Sequence, residues 1–127
     1  MKLNELDAVA ARAAIGAGEI SSEALVQACL ERIAEAEDRI QAWAFLDPAY
    51  ALAQARDADR LRDRGAPLGP LHGIPVAIKD IIDTADMPTE LGSVLCAGRR
   101  PPQDATVVAL LRRAGALIEE RVYEISA

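Results

Sequence analysis

Apolar residues recur through the first half of the chain at intervals of three and four, the period of a helix with one inward face. The clearest run is Val26, Leu30, Ile33, Ala36 and Ile40. Ser21 or Ser22 stands ahead of it, and a serine hydroxyl can accept from the free amides of a first helical turn. Asn4 to Ala14 predicts a shorter helix before that one, stopped by Gly16 and Gly18. A further start signal is Asp47-Pro48, with Asp as cap and Pro at the first helical position. Leu52, Ala55, Ala58 and Leu61 follow at helical spacing, and Gly65 stands where a left-handed stop belongs.

From Ala66 the pattern changes. Pro67, Gly69, Pro70, Gly73 and Pro75 forbid a helix. They lead into the apolar run Val76 to Ile82, which predicts a short strand buried on both faces. A loop with Asp83, Asp86, Pro88 and Gly92 comes next. A capped helix is then expected from Asp104 to Gly115, through Val107, Val108, Leu111 and Ala114. Ala116-Leu117-Ile118 begins another strand. Strand, helix and strand in this order predict one parallel crossover unit. The expected class is therefore α/β, one domain over residues 1–127, with a helical segment 1–65 and a strand-loop-helix-strand segment 66–127.

Composition narrows the function classes. The chain has 127 residues, a formal net charge of −6 and 51% hydrophobic residues. At this size a fold buries ~65% of its unfolded surface, enough for a core. A nucleic-acid binder would carry clustered basic residues. Here Arg60, Arg62 and Arg64 are interrupted by Asp57, Asp59 and Asp63, the pattern of a solvated helix face, so no direct nucleic-acid contact is expected. Cys29 and Cys96 form no C-x-x-C, and the single His72 cannot complete a zinc site. Asp80, Asp83 and Asp86 fall three apart, but lack the Gly and Glu of a calcium loop. No metal or organic cofactor is expected. Neither a signal peptide nor an 18-residue apolar run is visible, so the expectation is a cytoplasmic chain with no membrane partner.

Lys79 is the anomaly. The chain uses twelve arginines and only two lysines, and Lys79 stands within the apolar run among Val76, Ile78, Ile81 and Ile82. Burying an ammonium favours the neutral amine, which can take a proton from a serine hydroxyl. A strand-end lysine can equally reach solvent or pair with Asp80 or Asp83. Pattern alone leaves both open.

The surrounding text is more specific. Gly69-Pro70-Leu71-His72-Gly73-Ile74-Pro75-Val76-Ala77-Ile78-Lys79-Asp80 resembles the segment carrying the catalytic lysine in the amidase signature family. The resemblance continues through Ile81 to Ser93, then Pro101, Asp104 to Val108 and Leu111 to Ala116. It covers roughly residues 3 to 118, and Asp80 to Ser93 is most similar to malonamidase-like members. What it implies is a mixed sheet with flanking helices and a serine hydrolase of amides with a Ser–Ser–Lys triad. Lys79 would be the base, acting through a bridging serine on a nucleophilic one, with backbone amides of a Gly/Ser-rich loop stabilising the oxyanion.

Of Ser21, Ser22, Ser93 and Ser126, none stands in a Gly-Gly-Ser-Ser-Gly-Gly context. Ser21 and Ser22 read as caps, and Ser93 as part of a structural turn. After Ile118 the family's Gly-Lys-Thr turn gives way to Glu119-Glu120-Arg121. The resemblance therefore implies an N-terminal portion that supplies the lysine alone, inactive by itself, toward a small amide such as a dicarboxylic monoamide. Two or three strands would leave unpaired edges, so self-association or a complementing chain is expected. Two alternatives stay open: a non-catalytic oligomerisation or binding module, and a relative of the amidase subunit of a tRNA-dependent amidotransferase.

Overall fold

A computed structural model describes residues 2–122. Ser126 and the rest of the divergent tail from residue 123 lie outside the described residues. The element order is α1 (Ala8–Gly16), α2 (Ser22–Ile40), β1 (Trp43–Leu46), α3 (Pro48–Asp63), β2 (Pro75–Lys79), α4 (Thr106–Arg113) and β3 (Leu117–Val122). Short 3-10 turns occupy Leu3–Glu5 and Val94–Cys96.

The local signals act as their chemistry requires. Ser21 caps α2 by accepting from the Ala24 amide, and Asp47 caps α3 by accepting from Tyr50. The first helix begins later than Asn4, because Asp7 caps it through the Ala10 amide. At the end of α2, Gln41 takes a left-handed conformation with φ 53°. The Glu37 carboxylate then accepts from the amides of Ala42 (2.6 Å) and Trp43 (3.1 Å), turning the chain out of the helix and into β1.

β3 is the centre of a three-stranded mixed sheet of order β1-β3-β2. It pairs antiparallel with β1 and parallel with β2, so β2, α4 and β3 form the expected crossover unit. Neighbouring residues of β3 face opposite layers, as strand geometry demands. Leu117 joins Val26 and Leu30 of α2 and Ala51, Ala55 and Ala58 of α3. Ile118 joins Ile78, Met87 and Val108 on the side of α4. A third cluster, Ala11, Ile15, Leu25 and Ile74, closes the end where α1 meets α2.

Two expectations change. The apolar stripes of α2 and α3 overshoot the core, leaving Ile40 and Leu61 exposed at their ends. The strand expected to be buried on both faces stops at Lys79, and Ala77 and Lys79 are exposed while Ile78 is buried. Among the described residues β2 has β3 as its one neighbour, so it is an edge strand. The apolar residues beyond it, Ile81 and Ile82, belong to a loop.

Candidate active site

The turn that launches β2 is held from three sides. Leu71 donates its amide to Ala114 O (2.8 Å) and Gly73 to Gly115 O (3.0 Å), docking the turn on the end of α4. The contact is too close for side chains: a Cβ on Gly69 would lie 2.3 Å from Ala114 O, and one on Gly115 2.7 Å from His72 Cα. Buried His72 donates from Nε2 to the carbonyl of Ala58 in α3 at 2.8 Å, a positional role. Arg12 Nε of α1 donates to Gly69 O (2.9 Å), and buried Ser22 Oγ donates to Gly73 O (2.7 Å). Ser22 is thus a tie to the turn, and Ser21 alone is the cap.

Four residues after Pro75 the strand delivers Lys79, exposed, at the C-terminal end of β2 opposite Val122 of β3. The chain turns there, with the Ile82 amide donating to Lys79 O at 3.0 Å. Asp80, next to the lysine, points inward and is buried. Its Oδ1 accepts from the Glu90 amide (3.1 Å), and its carbonyl accepts from Leu91 (3.0 Å). Facing it is fully buried Arg121, with Nε 3.6 Å from Asp80 Oδ1. Arg121 Nη2 donates to Ile82 O (2.5 Å) and Thr89 Oγ1 (3.0 Å), while Nε and Nη1 have no hydrogen-bond partner among the described residues. Burial pulls this guanidinium below its ordinary pKa, and the charge of Asp80 opposes that shift.

The aspartates spaced by three residues do not converge. Each meets an arginine from a different segment: Asp80 meets Arg121 of β3, Asp83 meets Arg99 (2.9 Å), and Asp86 meets Arg112 of α4 (2.8 Å). The hydrogen bond from Arg99 holds the Asp83 carboxyl below its ordinary pKa. Asp86 also accepts from the Tyr50 hydroxyl of α3. Burial first, and then that bond and the Asp86 charge, push the phenol up to about 12. Arg112 Nε reaches Asp104 (3.0 Å), whose other oxygen accepts from the Ala85 amide (2.8 Å). Asp104 therefore fastens the loop, and α4 starts after Ala105 with no side-chain cap. Among the described residues no group of three or more His, Cys, Asp or Glu is placed to hold a metal ion.

The lysine is thus mounted on a strand whose launching turn and following loop are both pinned. Ser93 accepts from the Leu95 amide (3.2 Å), a structural role. Pattern reading singled out Lys79 and missed Arg121 and Tyr50, which hold the loop behind it. The signal for Arg121 was its place after a strand-forming Leu117-Ile118 pair.

The amidase family profile matches residues 24–119, and the chain belongs to the amidase family. A glutamyl-tRNA(Gln) amidotransferase subunit from Chloroflexus aurantiacus is 50% identical over 117 residues, covering 92% of this chain and 24% of that protein. The crystallised peptide amidase of Stenotrophomonas maltophilia superposes with a TM-score of 0.85 at 41% identity, over 93% of this chain and 24% of that one. A solved fatty acid amide hydrolase superposes with a TM-score of 0.87 at 28% identity, over 94% and 21%. The chain spans about a quarter of the length of these relatives. Among the described residues, no helix is long and apolar enough to cross a membrane.

Proposed function

We propose that the chain is the lysine-bearing portion, a single partial domain, of an amidase-signature serine hydrolase that cleaves amide C–N bonds. Lys79 is its base. The observation that carries this is the mounting of Lys79: an exposed lysine at the C-terminal end of β2, braced by the 69–74 turn and by buried Asp80. Ligand chemistry in open α/β sheets gathers at that end of the strands.

In this reading the base takes the proton of a bridging serine, which deprotonates the nucleophilic serine. An acyl-enzyme forms, ammonia or an amine leaves with the returned proton, and water completes hydrolysis. Both serines come from a segment outside residues 1–127. The chain alone therefore turns over no amide, and its partner is a complementing part of the same domain. A second reading, the amidase-type subunit of a tRNA-dependent amidotransferase, is favoured by the 50% identity to the Chloroflexus aurantiacus protein. That reading keeps the role of Lys79 and adds a second protein chain as partner.

The test joins this chain ahead of the downstream three-quarters of the Stenotrophomonas maltophilia peptide amidase and follows ammonia release from peptide amides and from malonamate. Activity that vanishes with Lys79→Ala supports the assignment. Activity retained by Lys79→Ala, or Lys79-dependent hydrolysis by the 127-residue chain alone, would refute it.

A further inference from the structure

The loop that follows Lys79 carries an exposed apolar tip that none of the roles above uses. Val94 is 91% exposed and Leu95 93%, side by side on the Val94–Cys96 turn, with Leu91 at 42% nearby in sequence. Isolated apolar residues on a surface are ordinary, but a contiguous set on a braced support marks an interaction site. This support is braced. Its base is closed by Thr89 donating to Arg99 O (2.9 Å), by the Arg99 side chain on Thr89 O (3.3 Å), and by the Asp83 pair. The Glu90 carboxylate accepts from Gly98 across the loop, and Ser93 caps the turn itself. Leu91 and Gly92, just before the tip, both have positive φ, 59° and 67°. The loop is thus braced while its two most exposed apolar side chains meet water.

We infer that Val94 and Leu95 form the docking surface for the downstream part of an amidase-signature domain, the part that supplies the serines in the proposed triad. The inference rests on that proposal. Two observations select this occupant over a second copy of the chain. The chain spans 24% of its relatives' length, so most of the domain they share lies outside it. The tip also belongs to the loop rooted at Asp80, beside Lys79 and the open edge of β2, where any group completing the lysine's site must arrive. An apolar tip seated in that arriving part fixes its position relative to the lysine, and burial of Val94 and Leu95 contributes to the association.

The test places Leu95→Cys in a Cys29→Ala, Cys96→Ala background and measures alkylation by iodoacetamide. It is run on the 127-residue chain and on that chain joined ahead of the downstream three-quarters of the Chloroflexus aurantiacus protein. Alkylation at least tenfold slower in the joined protein is expected, and equal rates would overturn the inference. Protection in the short chain that grows with its concentration would make a second copy the occupant and equally overturn it. As a second measurement, Val94→Ser with Leu95→Ser should lower the Tm of the joined protein and leave that of the short chain unchanged. The same shift in both, or none in either, counts against docking. Ammonia release by the joined protein, with and without Lys79→Ala, is recorded separately, so the docking surface and the role of the lysine can each fail alone.

Discussion

Asp80 and Arg121 face one another in the interior behind Lys79, with Arg121 Nε 3.6 Å from Asp80 Oδ1 and the arginine entirely removed from solvent. The pair joins the end of β2 to the central strand and to the loop that returns through Thr89. Removing one partner of a buried pair leaves the other charge uncompensated, which costs about 3–5 kcal/mol. Asp80→Ala should therefore destabilise the chain by about that amount in urea denaturation. Asp80→Asn with Arg121→Met should cost clearly less than the sum of the two single changes, since both charges leave together. Additive losses would show that the two side chains do not interact.

Tyr50 gives a signal at high pH. Its phenol is pushed up to about 12 in the folded chain, against 10.0 unfolded, chiefly by burial and then by Asp86. The raised value means that the folded state holds the proton more tightly. The corresponding stabilisation is fully present below pH 10 and is lost as pH rises from about 10 to about 12. In a Tyr123→Phe background, absorbance titration at 295 nm should show one late phenol in the folded chain. Tyr50→Phe should remove this part of the alkaline loss, and an ordinary phenol titration near 10 would contradict the half-buried Asp86 contact.

The Asp83–Arg99 pair acts in the opposite direction. The Arg99 hydrogen bond lowers the folded carboxyl below its unfolded value of 3.8. Its contribution is present above that value and is lost as pH falls through the lowered folded value. Both side chains are 39% exposed, so the effect should be small and weaken with salt. Asp83→Asn should flatten the acid limb of the stability curve below about pH 4 and speed proteolysis between residues 89 and 99 at neutral pH. An unchanged acid limb at low salt would contradict the assignment.

The failures of pattern reading have physical causes in this fold. The helices were legible because their caps, Ser21 and Asp47, lie next to the residues they serve. β1 was not, since its four residues are a strand only through pairing with β3, far along the chain. Alternation along β3 puts Arg121 on the face of Leu117, but the register shift between Val76↔Ile118 and Ala77↔Glu120 reverses the faces beyond it and turns Arg121 to the layer of Ile118 and Ile78. Lys79 stood out in its apolar run, but its exposure follows from the open face it shares with Ala77, while Ile78 between them turns to the covered face and is buried. Residue type identified the candidate base; the long-range contacts that hold it had no local signature.

Gly115 tests the mounting of the lysine from a distance. Its φ is 94°, and a Cβ there would sit 2.7 Å from His72 Cα, in the turn that launches β2. Gly115→Ala must absorb both the unfavourable dihedral, about 1–3 kcal/mol, and the displacement of the turn. Its stability loss should exceed that of Gly18→Ala, which has a positive φ of 75° but open space around it. Hydrogen exchange at the amides of Leu71 and Gly73 should quicken in the Gly115 variant alone. Equal losses for the two glycines would mean that the docking of the turn on the end of α4 contributes nothing.

Lys79 itself separates chemistry from stability. Its side chain is exposed at the end of an edge strand, whereas the adjacent Asp80 is buried, so the two neighbours should respond oppositely to substitution. Changes at exposed positions usually fall within about ±0.5 kcal/mol, and Lys79→Ala should change the unfolding free energy of the 127-residue chain, measured in urea, by no more than about that. In the chain joined to the downstream part of the peptide amidase, loss of a general base should lower kcat by about 10²- to 10⁴-fold. Asp80→Asn should show the reverse balance, a large loss of stability with whatever activity survives still dependent on Lys79. Activity in the Asp80 variant that no longer needs Lys79 would move the base elsewhere. Destabilisation by Lys79→Ala comparable to that of Asp80→Ala would make the lysine a structural residue of the strand end.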